Sequence, residues 1–556
     1  MTDGLVMVLP MTTTLYLNGR VFQAHAPDPS EAAASPASAF VVRDGGFAFV
    51  GGEADARSFA PEPDATVNLG GQLVLPGITD AHTHLVMMGE ALGQVGLTDA
   101  RDLAGIQRLL AEARAADPDA RVLRGRGWLF DSIPDGAPTA AMIDEVIADI
   151  PVYLDANDYH SCWVNSAALR ELGITRETPD PSGGRIERDV DGEPNGMLFE
   201  TAAVEYAWVQ RDLAMTDADR DAAVERVLAA YSEAGVTGVV DMALNEVALD
   251  ALQRAAERRG GELPLRVAAH WLVSNTDDDV ANLEQVERAR ELAGAHTSPW
   301  LRVVGIKLIL DGTIDACTAA MSLPYADGSN ADAIWPADRL FPVVAAADAA
   351  GLQIAMHAIG DAASTTALDA LEAAFEENGD IARRHRIEHL EYAAPGTAER
   401  MSALGVTASM QPVHADPAIL GNWIAQLDDD RVERGFAWHE YEEAETTLAF
   451  STDAPTAPYG PLANLYVAAT RESALDPTFP AAQVLGRTVP IERAIVHATR
   501  DAAASVGDAS WRGEIREGFA ADFFVVDTDV LSEPAASLLT ARAVLTVVGG
   551  RVTFEA

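Results

Sequence analysis

Residues 73–84 read LVLPGITDAHTH, an apolar run that ends in two histidines one residue apart. In an extended strand the side chains at i and i+2 face the same side. His82 and His84 therefore aim both imidazoles in one direction and can share a metal ion. Twelve histidines in 556 residues would produce about 0.3 such pairs by chance. The pair gains meaning only if other residues join it.

Working outward, apolar strand candidates alternate with stretches of helical period. Strands are expected at Leu73–Thr79, Val236–Met242, Leu265–Leu272, Leu301–Leu308, Leu352–His357, His385–His389, Gly405–Met410 and Thr447–Thr452. Between later members lie Ala/Leu/Glu-rich runs, DRLFPVVAAADAAG and TTALDALEAAFEENG, that end in glycine as helix C-termini often do. Eightfold alternation of strand and helix predicts an α/β chain, a (β/α)8 TIM barrel over residues 76–504.

Two regions fall outside that rhythm. The stretch from Thr79 to Val236 is too long for one βα connection and contains its own strand-like runs, RVLRGRGWL and IPVYLDAND. It predicts an inserted cap subdomain at about residues 90–215, placed after the first strand and so above the face where barrels do chemistry. Residues 1–75 and 505–556 carry short β runs punctuated by glycine pairs, among them FVVRDGGFAFVGG and AVLTVVGGRVTF. Chain termini often lie close together, so these two segments are expected to pair into a composite β-sandwich.

The chain has 85 acidic and 39 basic residues, a formal charge of −46, which argues against nucleic acid or anionic lipid as a partner. A small-molecule substrate is expected instead, with a homodimer as the assembly. Two cysteines support neither a disulfide framework nor a cysteine-rich metal site, and fit a reducing cytoplasm. The first residues lack the basic region of a signal peptide, and no apolar run reaches the length of a membrane span.

Other candidate ligands stand at strand ends. His357 closes the apolar LQIAM, His389 closes RIEH, and Asp453 follows LAFST. Taken singly, each could be a satisfied buried histidine or a turn aspartate. Together they fall at the C-terminal ends of strands five, six and eight, and in a parallel barrel those ends converge with strand one on a single mouth. Lys307 is the sole lysine of the chain, inside the apolar VVGIKLILDG of strand four. A buried ammonium is costly, so its pKa falls or it is modified. A neutral amine can take up CO2 as a carbamate that bridges two cations; the alternative is an ion pair with Asp311 or Asp315. Around the site, His160 in NDYHSCWVNS and Gln411 and His414 in MQPVH are candidate substrate contacts. Trp163 and Phe199 could wall a pocket or simply pack, Tyr325 has no assigned role, and Asp361 reads as a helix cap.

The order HxH, Lys, His, His, Asp, with the motifs PGITDAHTHL, KLILDGTIDACTAAM, MHAIGD, RIEHLEY, MQPVH and STDAP, resembles the amidohydrolase superfamily. More narrowly it resembles the type-3 branch that includes the N-substituted formamide deformylases. The resemblance implies that His82, His84 and Asp453 bind a deeper metal, that His357 and His389 bind an outer one, and that carbamylated Lys307 bridges two zinc ions. It implies hydrolysis of a non-peptide carbon–nitrogen bond in a small N-substituted amide or formamide by a metal-activated hydroxide, with Asp453 shuttling the proton. An esterase, lactonase or carbamate hydrolase on the same site, or a noncatalytic binding or regulatory barrel, stays open at this level.

Overall fold

Eight parallel strands organise the chain: β1 (Ile78–Thr83), β2 (Val236–Leu244), β3 (Arg266–Leu272), β4 (Leu301–Ile309), β5 (Gln353–Ala358), β6 (Arg386–His389), β7 (Thr407–Met410) and β8 (Leu448–Phe450). Each pairs with the next in chain order. Thr83 and Ala454 form a further parallel bridge between the two ends of the sheet. There Asp453 N donates to His82 O at 2.8 Å and His84 N to Ala454 O at 2.9 Å. The fold is mixed α/β around this nearly closed barrel. The computed structural model describes residues 12–24, 37–98, 100–133, 137–156, 161–181, 184–200, 202–276, 278–480 and 487–556. Among them no helix is long and apolar enough to cross a membrane.

Helices follow most strands where the intervening sequence can bury an apolar face. Glu246–Glu257 turns Leu249, Leu252, Ala255 and Ala256 inward, and the Asn245 side chain accepts from Ala248 N at its start. Asp361–Asn378 buries Ala363, Ala367, Leu368, Leu371 and Ala374 along one face in the same way.

The first expected strand is in fact two. Leu73–Pro76 pairs antiparallel with Phe523–Val526 in a five-stranded sheet, and β1 begins only at Ile78. Gly77 makes the transfer between sheets: its N donates to Asp522 O at 2.9 Å, and a Cβ there would lie 2.1 Å from Thr237 Oγ1. One apolar run thus serves two sheets, and His82 lies within β1 and not beyond it. The seventh strand also starts later than expected, because Gly405 takes a left-handed φ of 65° to close the preceding helix.

The chain divides into two compact units, Met1–Leu85 with Leu228–Ala556, and Val86–Val227. In the first, beside the barrel, a four-stranded sheet (Thr13–Leu17, Ala39–Arg43, Gly46–Gly51, Ala65–Asn68) and the five-stranded sheet contribute to one core of Tyr16, Phe40, Phe47, Val74, Phe523 and Val547. In the second, a six-stranded sheet carries its own core around Trp128, Leu154 and Trp163. Trp163 packs edge-on to Trp128 at 5.5 Å and Phe199 stacks on Phe130, so both belong to that unit's packing.

Register sets the heights of the barrel's functional side chains: Lys307 lies opposite Ala355, Ile309 opposite His357, His357 opposite Glu388, and Ala358 opposite His389. The β4–β5 pairing that fixes it is tight at Gly305, where a Cβ would stand 1.8 Å from Gln353 O. Gly305→Ala should lower stability by at least about 1–3 kcal/mol, since inserted atoms here meet backbone and cannot rotate away. Urea denaturation followed by circular dichroism checks this; an unchanged midpoint would contradict it.

Candidate metal centre

The centre is built upward from two charges that a strand interior does not usually tolerate. Arg386 and Glu388, both fully buried, alternate along β6 and face the same side. Arg386 donates from Nε and Nη2 to Glu388, from Nη2 to Ala81 O at 2.6 Å and Ser409 Oγ at 2.7 Å, and from Nη1 to Ser505 Oγ at 3.1 Å. All three nitrogens are occupied, so the buried charge is compensated. Burial pushes the Glu388 carboxyl up, but Arg386 and His82 outweigh it and hold it well below the usual carboxylate range.

Glu388 Oε2 stands 2.7 Å from His82 Nδ1. A carboxylate only accepts, so Nδ1 carries the hydrogen and Nε2 presents a lone pair. That lone pair faces Asp453 Oδ1 at 3.3 Å, and His84 Nε2 lies 3.2 Å from the same oxygen. Asp453 Oδ1 is buried with no hydrogen-bond partner. The His82 lone pair, the His84 imidazole and an unpartnered carboxylate oxygen converging on one point make the donor set of a cation site, and His, His and Asp suit a divalent ion. These residues therefore fit the metal that the sequence motifs imply.

His389 follows Glu388 directly, yet both reach the same interior. The reason is a left-handed backbone at His389, φ 76°, continued at Leu390, φ 52°; Asp453 has φ 58°. Such conformations are rare for side-chain-bearing residues and gather at functional sites. Gln411, just past β7, receives His389 Nδ1 on Oε1 at 2.8 Å and gives its own amide to Ser451 Oγ at 2.9 Å. His389 Nε2 is thereby left free. Gln411, one of the expected substrate contacts, spends its amide on His389 and Ser451 and is not among the residues lining the cavity.

Burial lowers the pKa of His82 to about 4 and of His357 to about 3, and holds His389 well below the ordinary value. Neutral imidazoles keep the lone pairs that a cation needs. Lys307, 2% exposed, is brought down to about 8, first by burial and partly restored by Glu388 and Asp453. The ion pairs considered for it do not form: Asp311 spends its oxygens on Ile359 N, Gly360 N and Ala320 N, and Asp315 is engaged with Asn422. His357 Nε2 lies 3.2 Å from Gly312 O and 3.5 Å from Asp311 Oδ1, and its ring is 4.3 Å from that of His389. His414 Nδ1 is 3.4 Å from Glu391 Oε1 and its Nε2 is 3.7 Å from Asp453 Oδ2. Burial opposes its charge, but Glu391 and Asp453 prevail and its pKa rises.

These groups open onto one cavity of about 320 Å³. His82, His84, Lys307, His357, His389, His414 and Asp453 line it, with Ile309, Ile359, Leu420 and Trp423 as apolar walls. His160 lies outside the described residues. Tyr325 is buried with its hydroxyl on Ala319 O, and Asp361 receives Ser322 N at 2.7 Å, tying a loop to the helix start without capping it. Sequence reading missed Arg386, Glu388 and Glu391. The signal for the first two was a pair of opposite charges inside a strand otherwise expected to be apolar.

Comparison with known proteins adds one decisive observation: residues 65–554 match the family model described as the amidohydrolase family. The chain belongs to the amidohydrolase family. Within it, the chain is 30% identical to the YtcJ protein of Bacillus subtilis over 509 residues, 89% of this chain and 91% of that one. It is 28% identical to the N-substituted formamide deformylase of Arthrobacter pascens over 551 residues, 94% of this chain and 95% of that one. Among solved structures, an uncharacterized metal-dependent hydrolase from Pyrococcus horikoshii superposes with a TM-score of 0.76 at 25% identity, covering 94% of this chain and 99% of that one.

Glu388 is the partner that fixes the His82 tautomer in this amidohydrolase. Glu388→Gln should weaken retention of a divalent cation by about 10–100-fold while the far-ultraviolet circular dichroism stays unchanged. Metal content after dialysis against a graded chelator reads this out, and equal retention in both proteins would contradict it.

Proposed function

We propose that this protein is a metal-dependent hydrolase that cleaves a non-peptide carbon–nitrogen bond in a small N-substituted amide or formamide. The observation that carries the reading is the convergence of His82, His84, Lys307, His357, His389 and Asp453 on one partly apolar cavity at the C-terminal ends of the barrel strands. Likeness to the formamide deformylase supports the substrate class.

His82, His84 and Asp453 would hold one divalent ion, zinc by the preference of His and carboxylate donors. His389 would bind a second, with Lys307 as the bridge in carbamylated form. Bound ions supply a Lewis acid that polarises a carbonyl and makes water acidic enough to attack near neutral pH. The chain's own residues do the rest. Lys307, lowered to about 8 by burial, is partly neutral at physiological pH and can add CO2 with loss of a proton. Burial raises the Asp453 carboxyl, but His82, His84 and His389 outweigh it and leave an anion. Asp453 Oδ2 can therefore accept the proton of the attacking water and return it to the leaving nitrogen, which departs poorly unless protonated. Ile309, Ile359, Leu420 and Trp423 exclude bulk water and accommodate an apolar N-substituent.

We also read the two small sheets that share the Tyr16, Phe40 and Phe523 core as a composite β-sandwich. The free thiols Cys162 and Cys317 suit a reducing compartment.

Purified protein supplied with matched N-substituted formamides, amides, esters, lactones and carbamates tests the reading. Faster turnover of the nitrogen compounds is expected, and Asp453→Asn should reduce kcat by about 10²–10⁴-fold. Preference for esters or lactones would move the assignment to carbon–oxygen bonds, and no hydrolysis of any class by metal-loaded protein would favour a binding role.

A further inference from the structure

We propose that Asp315 selects the substrate by its far end: the N-substituent carries an ammonium or another cationic group, which the Asp315 carboxylate receives at the opening of the cavity. The proposal rests on the amide-hydrolase reading above and extends it from the reacting bond to the other end of the molecule.

The lining of the cavity is unevenly arranged. His82, Lys307, His389 and Asp453 are buried members of it and belong to the metal centre. Thr313, Asp315, Ile419 and Thr456 are the members exposed to solvent, so they mark the opening. Ile309, Ile359, Leu420 and Trp423 add apolar surface on which a hydrocarbon stem can lie. Outside the metal centre the lining holds two carboxylates, Asp315 and Glu391, and among the described residues no arginine. The remaining basic group there, His414, already faces Glu391 Oε1 at 3.4 Å and Asp453 Oδ2 at 3.7 Å.

Of the two carboxylates, Glu391 is spent. Its Oε2 accepts from Trp423 Nε1 at 3.0 Å while Oε1 faces His414. Asp315 is not. Asn422 Nδ2 gives its short bond, 2.7 Å, to the Asp315 backbone oxygen and reaches the side-chain Oδ1 only at 3.4 Å. Among the described residues nothing donates to Oδ2, and no lysine or arginine pairs with the carboxylate. Burial pushes its carboxyl up and Glu391 adds to the rise, while Asn422 and His414 draw it back in part. A cation seated beside Asp315 opposes that rise, whereas an anionic tip adds a third negative charge to the two carboxylates.

The loop presents this carboxylate in a fixed place. Gly312 N donates to Thr318 O at 3.0 Å and Thr318 N to Thr313 O at 2.9 Å, closing the turn that carries Asp315. The helix Gly421–Leu427 holds the same turn twice, through Asn422 and through Gln426 Oε1, which accepts from Cys317 Sγ at 3.1 Å. That helix also supplies Trp423 to the lining. Apolar wall and charged rim are therefore tied to one another, and an apolar stem with a cationic tip meets both without a costly ordering of the protein.

Three formamides that differ only at the tip test the proposal: N-(4-aminobutyl)formamide, its uncharged isostere N-pentylformamide, and 5-formamidopentanoate. Metal-loaded wild-type protein should favour the ammonium compound over N-pentylformamide by about 5–50-fold in kcat/KM, mostly through KM, and turn over the carboxylate most slowly. Asp315→Asn should bring the first two within about twofold of each other, Asp315→Glu should keep part of the preference, and Asp315→Lys should shift it toward the carboxylate. The readout is a ratio, so damage that slows all three compounds does not imitate it. Equal turnover of the first two by wild-type protein, or an unchanged ratio in Asp315→Asn, would overturn the proposal. If no formamide is hydrolysed, the reading of the reaction fails, and calorimetry on the metal-loaded protein decides the role of Asp315 by itself. Tighter binding of 1,4-diaminobutane than of pentylamine, with the difference lost in Asp315→Asn, supports it; equal binding of the two amines by wild-type protein overturns it.

Discussion

The site depends on one buried chain of charge: Arg386 holds Glu388, and Glu388 holds His82 Nδ1. Neither Arg386 nor Glu388 touches solvent. An ion pair so placed contributes little net stability over apolar side chains of the same shape, while removing one partner strands the other as an uncompensated charge. Its value here is geometric, because it allows His82 only one tautomer and turns Nε2 toward the mouth. Gln411 repeats the logic for His389 with a neutral amide, itself oriented by Ser451. His82 and His389 are thus each backed by a side chain that decides where the imidazole lone pair points.

Backbone conformation supplies the rest of the geometry. Regular alternation along β6 would send Glu388 and His389 to opposite faces, and the left-handed turn at His389 brings the second back inside. Asp453, with its own left-handed φ, leaves β8 at the point where the sheet ends meet, since its N donates to His82 O. Barrel closure and the shared carboxylate are therefore the same local event. Strain of this kind is tolerable where hydrogen bonds on both sides over-determine it.

Much of this was legible in the sequence, and the limits have physical causes. A lone lysine in an apolar strand advertises itself, because burial of an ammonium demands a reason, and Lys307 does line the cavity. The strand-end positions of His82, His84, His357, His389 and Asp453 followed from hydrophobic period and parallel topology. Hydrogen-bond direction does not follow from period. Nothing in MQPVH tells that Gln411 is spent on His389 while His414 faces the cavity, since that depends on torsions a few residues long. The split of LVLPGIT between two sheets was hidden for a similar reason: both halves are equally apolar, and only the approach of Thr237 to Gly77 marks the change. By residue type Arg386 and Glu388 are an ordinary pair of opposite charges, and only their complete burial sets them apart.

The central claim, that Lys307 stands among histidines and Asp453 as part of a metal centre, is tested most directly by metal content together with native intact mass. Protein purified in the presence of zinc and bicarbonate should carry about two metal ions per chain and about 44 Da on Lys307, and Lys307→Ala should lose the added mass and the second ion together. A wild-type chain with no bound metal and the unmodified mass would contradict the account.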